Sequence, residues 1–168
     1  MTEEPHDKLL PEGLEAEPKR AGLKKVTEGD WAGWYNYQPS DAFEDYAGPF
    51  YCKPEGTALI CGFLPEAKNC NAGGNVHGGS LMTFADYALF MIAGGMNNEV
   101  HGVTVTCNCE FVNAAVPEKL LIARGEVVRA GLSMVFARGI IYDVADGGER
   151  PVLAFSGSIK RLPARDRI

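Results

Sequence analysis

The sequence lacks most marks of export, membrane insertion or a polyanionic partner. It has no CxxC spacing, and its five cysteines, at 52, 61, 70, 107 and 109, are an odd number. The start, Met1-Thr2-Glu3-Glu4-Pro5, is acidic and no apolar run follows it, so no secretory leader is expected. Reduced thiols in the cytoplasm are the matching expectation. Long apolar runs are missing too. The longest stretch, Leu81 to Met96, falls short of the roughly 20 residues a bilayer span needs and carries Asp86 near its middle. Positive charge is scarce: 16 Lys and Arg oppose 22 Asp and Glu, a formal charge of −6, which disfavours nucleic acid. GxGxxG, GxxxxGK[ST] and GxSxG are all absent, which removes the sequence signs of dinucleotide binding, a P-loop and an α/β-hydrolase elbow.

What is present fits one globular domain with an arm. The chain has 168 residues, 46% hydrophobic and 23% charged. Its charge is uneven: residues 118–168 hold nine Lys and Arg against six Asp and Glu, so the last third is basic. Residues 1–30, with Pro5, Pro11 and Pro18 among mixed charges, read as a loose or weakly helical arm. An aromatic cluster follows: Trp31, Trp34, Tyr35, Tyr37, Phe43, Tyr46, Phe50 and Tyr51. It is suited to covering a core edge or an apolar tunnel. Asp41-Ala42-Phe43-Glu44 predicts a short helix ending before Gly48-Pro49.

Thr57–Leu64 predicts a strand and Pro65–Gly74 a loop. A long helix over Gly79–Gly94 is closed by Gly94-Gly95. The period then changes to two: Val103, Val105, Cys107, Cys109 and Phe111 alternate with Thr104, Thr106, Asn108 and Glu110, which predicts a half-buried strand. Further strands are expected over 119–129, 132–144 and 150–161, with turns at Ala130-Gly131 and Asp146-Gly147-Gly148. A lone helix that is apolar nearly all round must be buried, so the fold class is α+β, an antiparallel sheet wrapped around a long helix. The division is an arm over 1–45 and a main domain over 46–168.

Two features suggest chemistry. Asp86 is the only charged residue between Lys68 and Glu99 and sits mid-helix among apolar neighbours. A carboxylate there either serves a reaction, lies on a polar seam with Ser80, Thr83 and Tyr87, or pairs with a distant Arg. Directly before the helix stands Gly73-Gly74-Asn75-Val76-His77-Gly78-Gly79. Glycines allow close backbone approach, and unpaired N–H groups in a first helical turn can hold an oxyanion. Asp86 lies eight residues beyond Gly78, about 12 Å along the axis. One reacting carbonyl does not easily meet both within one subunit, whereas a dimer could bring one helix start to the other chain's Asp86.

Asn71-Ala72-Gly73-Gly74-Asn75-Val76-His77-Gly78-Gly79 followed by Asp86 resembles the signature of hotdog-fold acyl-CoA thioesterases, in particular the PaaI-like phenylacetyl-CoA type. Gly102-Val103-Thr104-Val105 resembles the family's strand after the central helix, and the likeness covers about residues 45–162. The resemblance implies a five- or six-stranded sheet, at least a dimer and commonly a tetramer, with active sites between two subunits. It implies Asp86 as base or nucleophile, the Gly78 N–H on the thioester oxygen, Asn71 and His77 orienting the loop and water, and Thr104 assisting. Gly79, Tyr87, Arg129 and Ser133 are the expected substrate contacts. Arg129, Lys160 and Arg161 are either exposed strand-end charges or partners of the coenzyme A phosphates. Tyr51, Phe84, Tyr87, Phe90 and Met91 are candidates for setting the tunnel width. The chain departs from the family at Asn113-Ala114-Ala115-Val116-Pro117.

The expected partner is an acyl-CoA or aryl-CoA thioester. No separate cofactor is expected, since coenzyme A is part of that substrate. No metal is expected either, because Cys70, His77, Cys107 and Cys109 lack ligand spacing. His77 serves equally well as a structural hydrogen-bonding group, and His6 and His101 read as solvent-facing. Two other functions fit the same fold: an enoyl-CoA hydratase or dehydratase, disfavoured because the helix holds no His, and a non-catalytic acyl-CoA binder with a structural Asp86.

Overall fold

A computed structural model describes residues 17–145 and 147–163. His6, the other residues of the first sixteen, Asp146 and residues 164–168 lie outside the described residues. The chain forms β1 (Leu23–Lys25), β2 (Tyr35–Tyr37), α1 (Ala42–Ala47), β3 (Phe50–Glu55) and β4 (Ala58–Phe63). A short 3-10 turn, Ala67–Asn69, leads to α2 (Gly78–Gly94). Then follow β5 (Gly102–Phe111), β6 (Leu121–Ala130), β7 (Met134–Ala145) and β8 (Gly148–Arg161). All eight strands join one sheet in the order β1-β2-β3-β4-β6-β7-β8-β5, every neighbouring pair antiparallel.

The sheet curls around α2. The helix buries Leu81, Phe84, Ala85, Tyr87, Ala88, Leu89, Met91 and Ile92, which take up more than one side of it. Residues of β3, β4, β6, β7 and β8 meet them: Cys52, Cys61, Phe63, Leu121, Ala123, Ala137, Ile141 and Leu153. Each fully buried Leu or Phe contributes about 2 kcal/mol of transfer free energy. The helix sits very close to the sheet. A Cβ on Gly157 would come within 2.4 Å of Leu89 Cδ1 and 2.5 Å of the Thr106 carbonyl oxygen, and the fixed backbone oxygen leaves room only for glycine.

Three expectations change. First, residues 23–25 are strand, not loose or weakly helical arm. Leu23-Lys24-Lys25 pairs with Tyr35-Asn36-Tyr37 and lengthens the sheet at one edge. This and Phe50–Glu55 take the sheet to eight strands, beyond the five or six implied by resemblance. Second, the aromatic cluster divides. Phe50 and Tyr35 join the main core, while Trp31 and Trp34 pack with Tyr51, Ile60 and Ile122 on the other sheet face. Trp31 stacks on Tyr51 with ring centroids 4.2 Å apart, so Tyr51 sits with the tryptophans and not against α2. Third, β5 changes phase. A bulge between Thr104 and Thr106 inserts one residue against β8. Thr104, Cys107 and Cys109 therefore face the helix, whereas Val103 and Val105 are exposed. A single alternating face from 103 to 111 does not exist.

Candidate active site

Asp86 lies two turns into α2, on the side facing β5. It is partly buried, which is less extreme than an apolar run of sequence suggests. The bulge gives it a partner: Thr104 Oγ1 donates to Asp86 Oδ1 at 2.6 Å. Nothing else among the described residues hydrogen-bonds the carboxylate, and none forms an ion pair with it. Of the polar seam suggested by sequence, Thr83 donates to Gly79 O and Ser80 to Asn69 O, so neither reaches Asp86. The result is a half-buried carboxylate held by one hydroxyl, with an oxygen left for chemistry.

The glycine-rich loop is ordered by its own side chains. Asn71 Oδ1 accepts from Gly73 N at 2.9 Å and from Asn75 N at 3.3 Å. His77 is the N-cap of α2, and its Nδ1 accepts from Gly79 N at 2.8 Å. Accepting at Nδ1 leaves the neutral ring's proton on Nε2. The same bond occupies the Gly79 amide. The Gly78 amide has no acceptor among the described residues and stands at the positive end of the helix dipole. The expected oxyanion donor is therefore free, while Gly79 has no amide left to give a substrate.

Sequence reasoning missed the residue beneath this loop. Asn69 is 3% exposed. Its carbonyl accepts from His77 N at 2.7 Å, its Nδ2 donates to Ala47 O at 2.6 Å, and its Oδ1 accepts from Glu66 N at 2.9 Å. The only sequence sign was an Asn between two expected elements. The departing segment also docks here: Val76 N donates to Ala115 O at 2.8 Å. Phe111 leans over the helix start, where a Cβ on Gly78 would meet its ring at 3.2 Å. Asn71, Asn75, Gly78, Leu81, Phe111 and Asn113 line a cleft of about 390 Å³ at this end.

A second missed residue is Glu44 of α1. Burial, with Asp41, Asp86 and Asp45 adding to it, pushes its carboxyl up to about 7. Cys107 and Cys109 lie beside the site with sulfurs 3.9 Å apart. Burial and the neighbouring Cys109 push the Cys107 thiol up to about 12, so it stays protonated and is no rival nucleophile.

The structure does not bring Arg129 and Ser133 to this cluster. Both are exposed around the β6–β7 hairpin, where Arg161 N donates to Ser133 O and Arg161 Nε to Gly131 O. Arg129 pairs with Phe136, Phe136 with Ser158, and Ser158 with Thr106. Three strand spacings, about 14 Å, separate Arg129 from β5. Lys160, in β8, and Arg161 lie at the same end, so the basic residues do gather, away from Gly78 of their own chain. Tyr87 is buried, and its hydroxyl has no oxygen or nitrogen acceptor.

The profile of the thioesterase superfamily matches residues 73–149, which include His77, Gly78, Asp86 and Thr104. A candidate esterase of Pseudomonas aeruginosa is 32% identical over 126 residues, covering 72% of this chain and 91% of that one. Among solved structures, the PaaI protein of the Escherichia coli phenylacetic acid degradation operon superposes with a TM-score of 0.63. It shares 18% identity over 74% of this chain and 87% of its own. A Streptococcus pneumoniae thioesterase protein solved with coenzyme A superposes with a TM-score of 0.61, at 20% identity over 73% and 93% of the two chains.

Proposed function

This chain belongs to the thioesterase superfamily and has the hotdog fold, and on that footing we propose that it hydrolyses acyl-CoA thioesters to a free acid and coenzyme A. One observation carries the reading: a single helix presents a free amide at its start and a lightly held carboxylate two turns on. A thioester carbonyl is already activated, so a carboxylate and an oxyanion donor suffice without a Ser-His-Asp triad.

The Asp86 oxygen not held by Thr104 takes a proton from water, or attacks the carbonyl itself. Charge then develops on the thioester oxygen and is met by the Gly78 N–H. Collapse of the adduct expels the coenzyme A thiolate; on the base route this gives the free acid at once, and on direct attack it leaves an acyl–Asp86 anhydride that a water hydrolyses to the acid and the restored carboxylate. Asn71 and Asn69 keep the loop in place, and His77, by holding the Gly79 amide, leaves Gly78 as the donor. The 12 Å between Gly78 and Asp86 on one helix supports a site shared by two copies. In such a dimer the basic end at Arg129, Lys160 and Arg161 belongs to the partner's helix start, and contact with coenzyme A phosphates is its proposed role. The phenylacetyl-CoA-type subfamily remains part of the proposal, supported by the fold likeness to PaaI.

The test is release of free thiol from a panel of acyl- and aryl-CoA esters. Turnover on some of them, lost in Asp86→Asn, is the expected result. No turnover on any ester, or full activity in Asp86→Asn, would end the reading.

A further inference from the structure

The side of α2 that faces residues 20–44 holds a cavity of about 310 Å³, lined by Arg20, Tyr37, Glu44, Tyr87, Phe90 and Met91 among others. Its arm residues lie outside the matched stretch 73–149. Arg20 is the unusual wall. It is 4% exposed, and its guanidinium donates to Tyr37 Oη and, at 3.6 Å, to Met91 Sδ. It rests on Gly94, where a Cβ would come within 3.1 Å of Nη1. No carboxylate among the described residues forms an ion pair with it.

Anchoring the arm to the C-terminal end of α2 accounts for the Nη groups, since a cation is favoured there. It does not account for Nε, which is buried with no acceptor. The Tyr87 hydroxyl, on the same cavity, is likewise buried and has no oxygen or nitrogen acceptor, only the Cys52 thiol beside it. Two donors without a strong acceptor on one cavity wall are costly unless something fills the space and accepts from them. The cavity neighbours the reaction centre, since Tyr87, which lines it, follows Asp86 directly in α2. Glu44 also lines it, and the Asp86 charge helps to push the Glu44 carboxyl up.

We propose that this cavity holds the acyl group of the substrate, and that the group carries a neutral oxygen, hydroxyl or keto, at the end remote from the thioester. The inference rests on the thioesterase reading above. Asp41, Glu44 and Glu99 also line the cavity and oppose a second carboxylate. Tyr37, Phe90 and Met91 supply walls for an aliphatic chain. The guanidinium rests on Gly94, about 12 Å along the axis from Asp86, a span matched by a chain of about eight carbons.

The test compares 8-hydroxyoctanoyl-CoA with nonanoyl-CoA, which differ by a hydroxyl in place of a methyl. The ratio of their kcat/KM values is measured in the wild type, Arg20→Met and Tyr87→Phe. The wild type should favour the hydroxy ester about tenfold, the scale of one added hydrogen bond. The ratio should fall toward one in both variants, and Tyr87→Phe alone decides if Arg20→Met does not fold. A wild-type ratio of one or less, or a high ratio unmoved by the variants, overturns the proposal. If neither ester, nor any other in the panel, is hydrolysed, it is the thioesterase reading that fails. Calorimetric binding of the free acids, 8-hydroxyoctanoate and nonanoate, then decides the cavity by itself: preferential binding of the hydroxy acid upholds it, and equal binding or none rejects it.

Discussion

The two ends of α2 are made of different materials. At its start the working groups are backbone amides in a glycine-rich loop, held by Asn71 and His77 within a few residues of one another. At its other end they are long side chains, buried Arg20 and Met91 with half-buried Tyr37, brought together across 71 positions of sequence. The first end is suited to a feature common to every thioester, its carbonyl oxygen. The second is suited to what differs between thioesters, the remote part of the acyl group. On the proposed function, generality rests on the chain's backbone and short-range bonds, and selectivity on long-range packing.

The sharpest way to test this division is to remove the group standing between the ends. Asp86→Asn should lower kcat by about 10²–10⁴-fold on every ester, the range of general-base loss, while far-ultraviolet circular dichroism stays unchanged. A loss confined to some esters would show that Asp86 belongs to the selective end instead. Next comes Asn69→Ala, which removes a buried side chain and leaves Ala47 O and Glu66 N without it as a partner. Denaturant titration should show a loss of about 2 kcal/mol, and kcat should fall for all esters alike. His77→Ala strikes only the start of the helix. It should cost about 1 kcal/mol as a lost N-cap and lower kcat without altering the ranking of esters.

The smallest effect is expected from Glu44→Gln. In the fold the Glu44 carboxyl titrates near 7, above its ordinary value of 4.5. Its neutral form is therefore favoured, and the stability it lends below pH 4.5 is lost as pH rises through about 7. The Gln variant should lack that loss. Melting curves should then show it gaining on the wild type by a few degrees at most between pH 5 and 8.

The same contrast explains what could be read from the sequence. The long helix and the strands β4 to β8 along the chain were legible because period and turn residues are local signals; the order of strands in the sheet was not. The loop and helix that carry Asn71, His77, Gly78 and Asp86 were legible because they are contiguous. Asn69 was not, since its role depends on Ala47 and Glu66, and an Asn before a loop has many ordinary uses. Arg20 and Glu44 were hidden for the same reason: their surroundings come from distant segments. Leu23–Lys25 is only three residues long, and its pairing with Tyr35–Tyr37 outweighs a composition rich in charge. The reading of β5 failed differently. Its alternation is real, but one extra residue near Val105 divides it into two phases.

That extra residue makes the strand a reading frame. Upstream of it the polar threonine is the inward letter; downstream the inward letters are cysteines. A one-residue insertion between Thr104 and Val105 would leave the net charge and the loop from Asn71 to Gly79 intact, yet with β5 held in register at Cys107 and one residue still unpaired it would move Thr104 one place back from the carboxylate. Substitutions along this strand are therefore weighed by which side of the insertion they fall on, and a shift in length there counts for more than a change of letter.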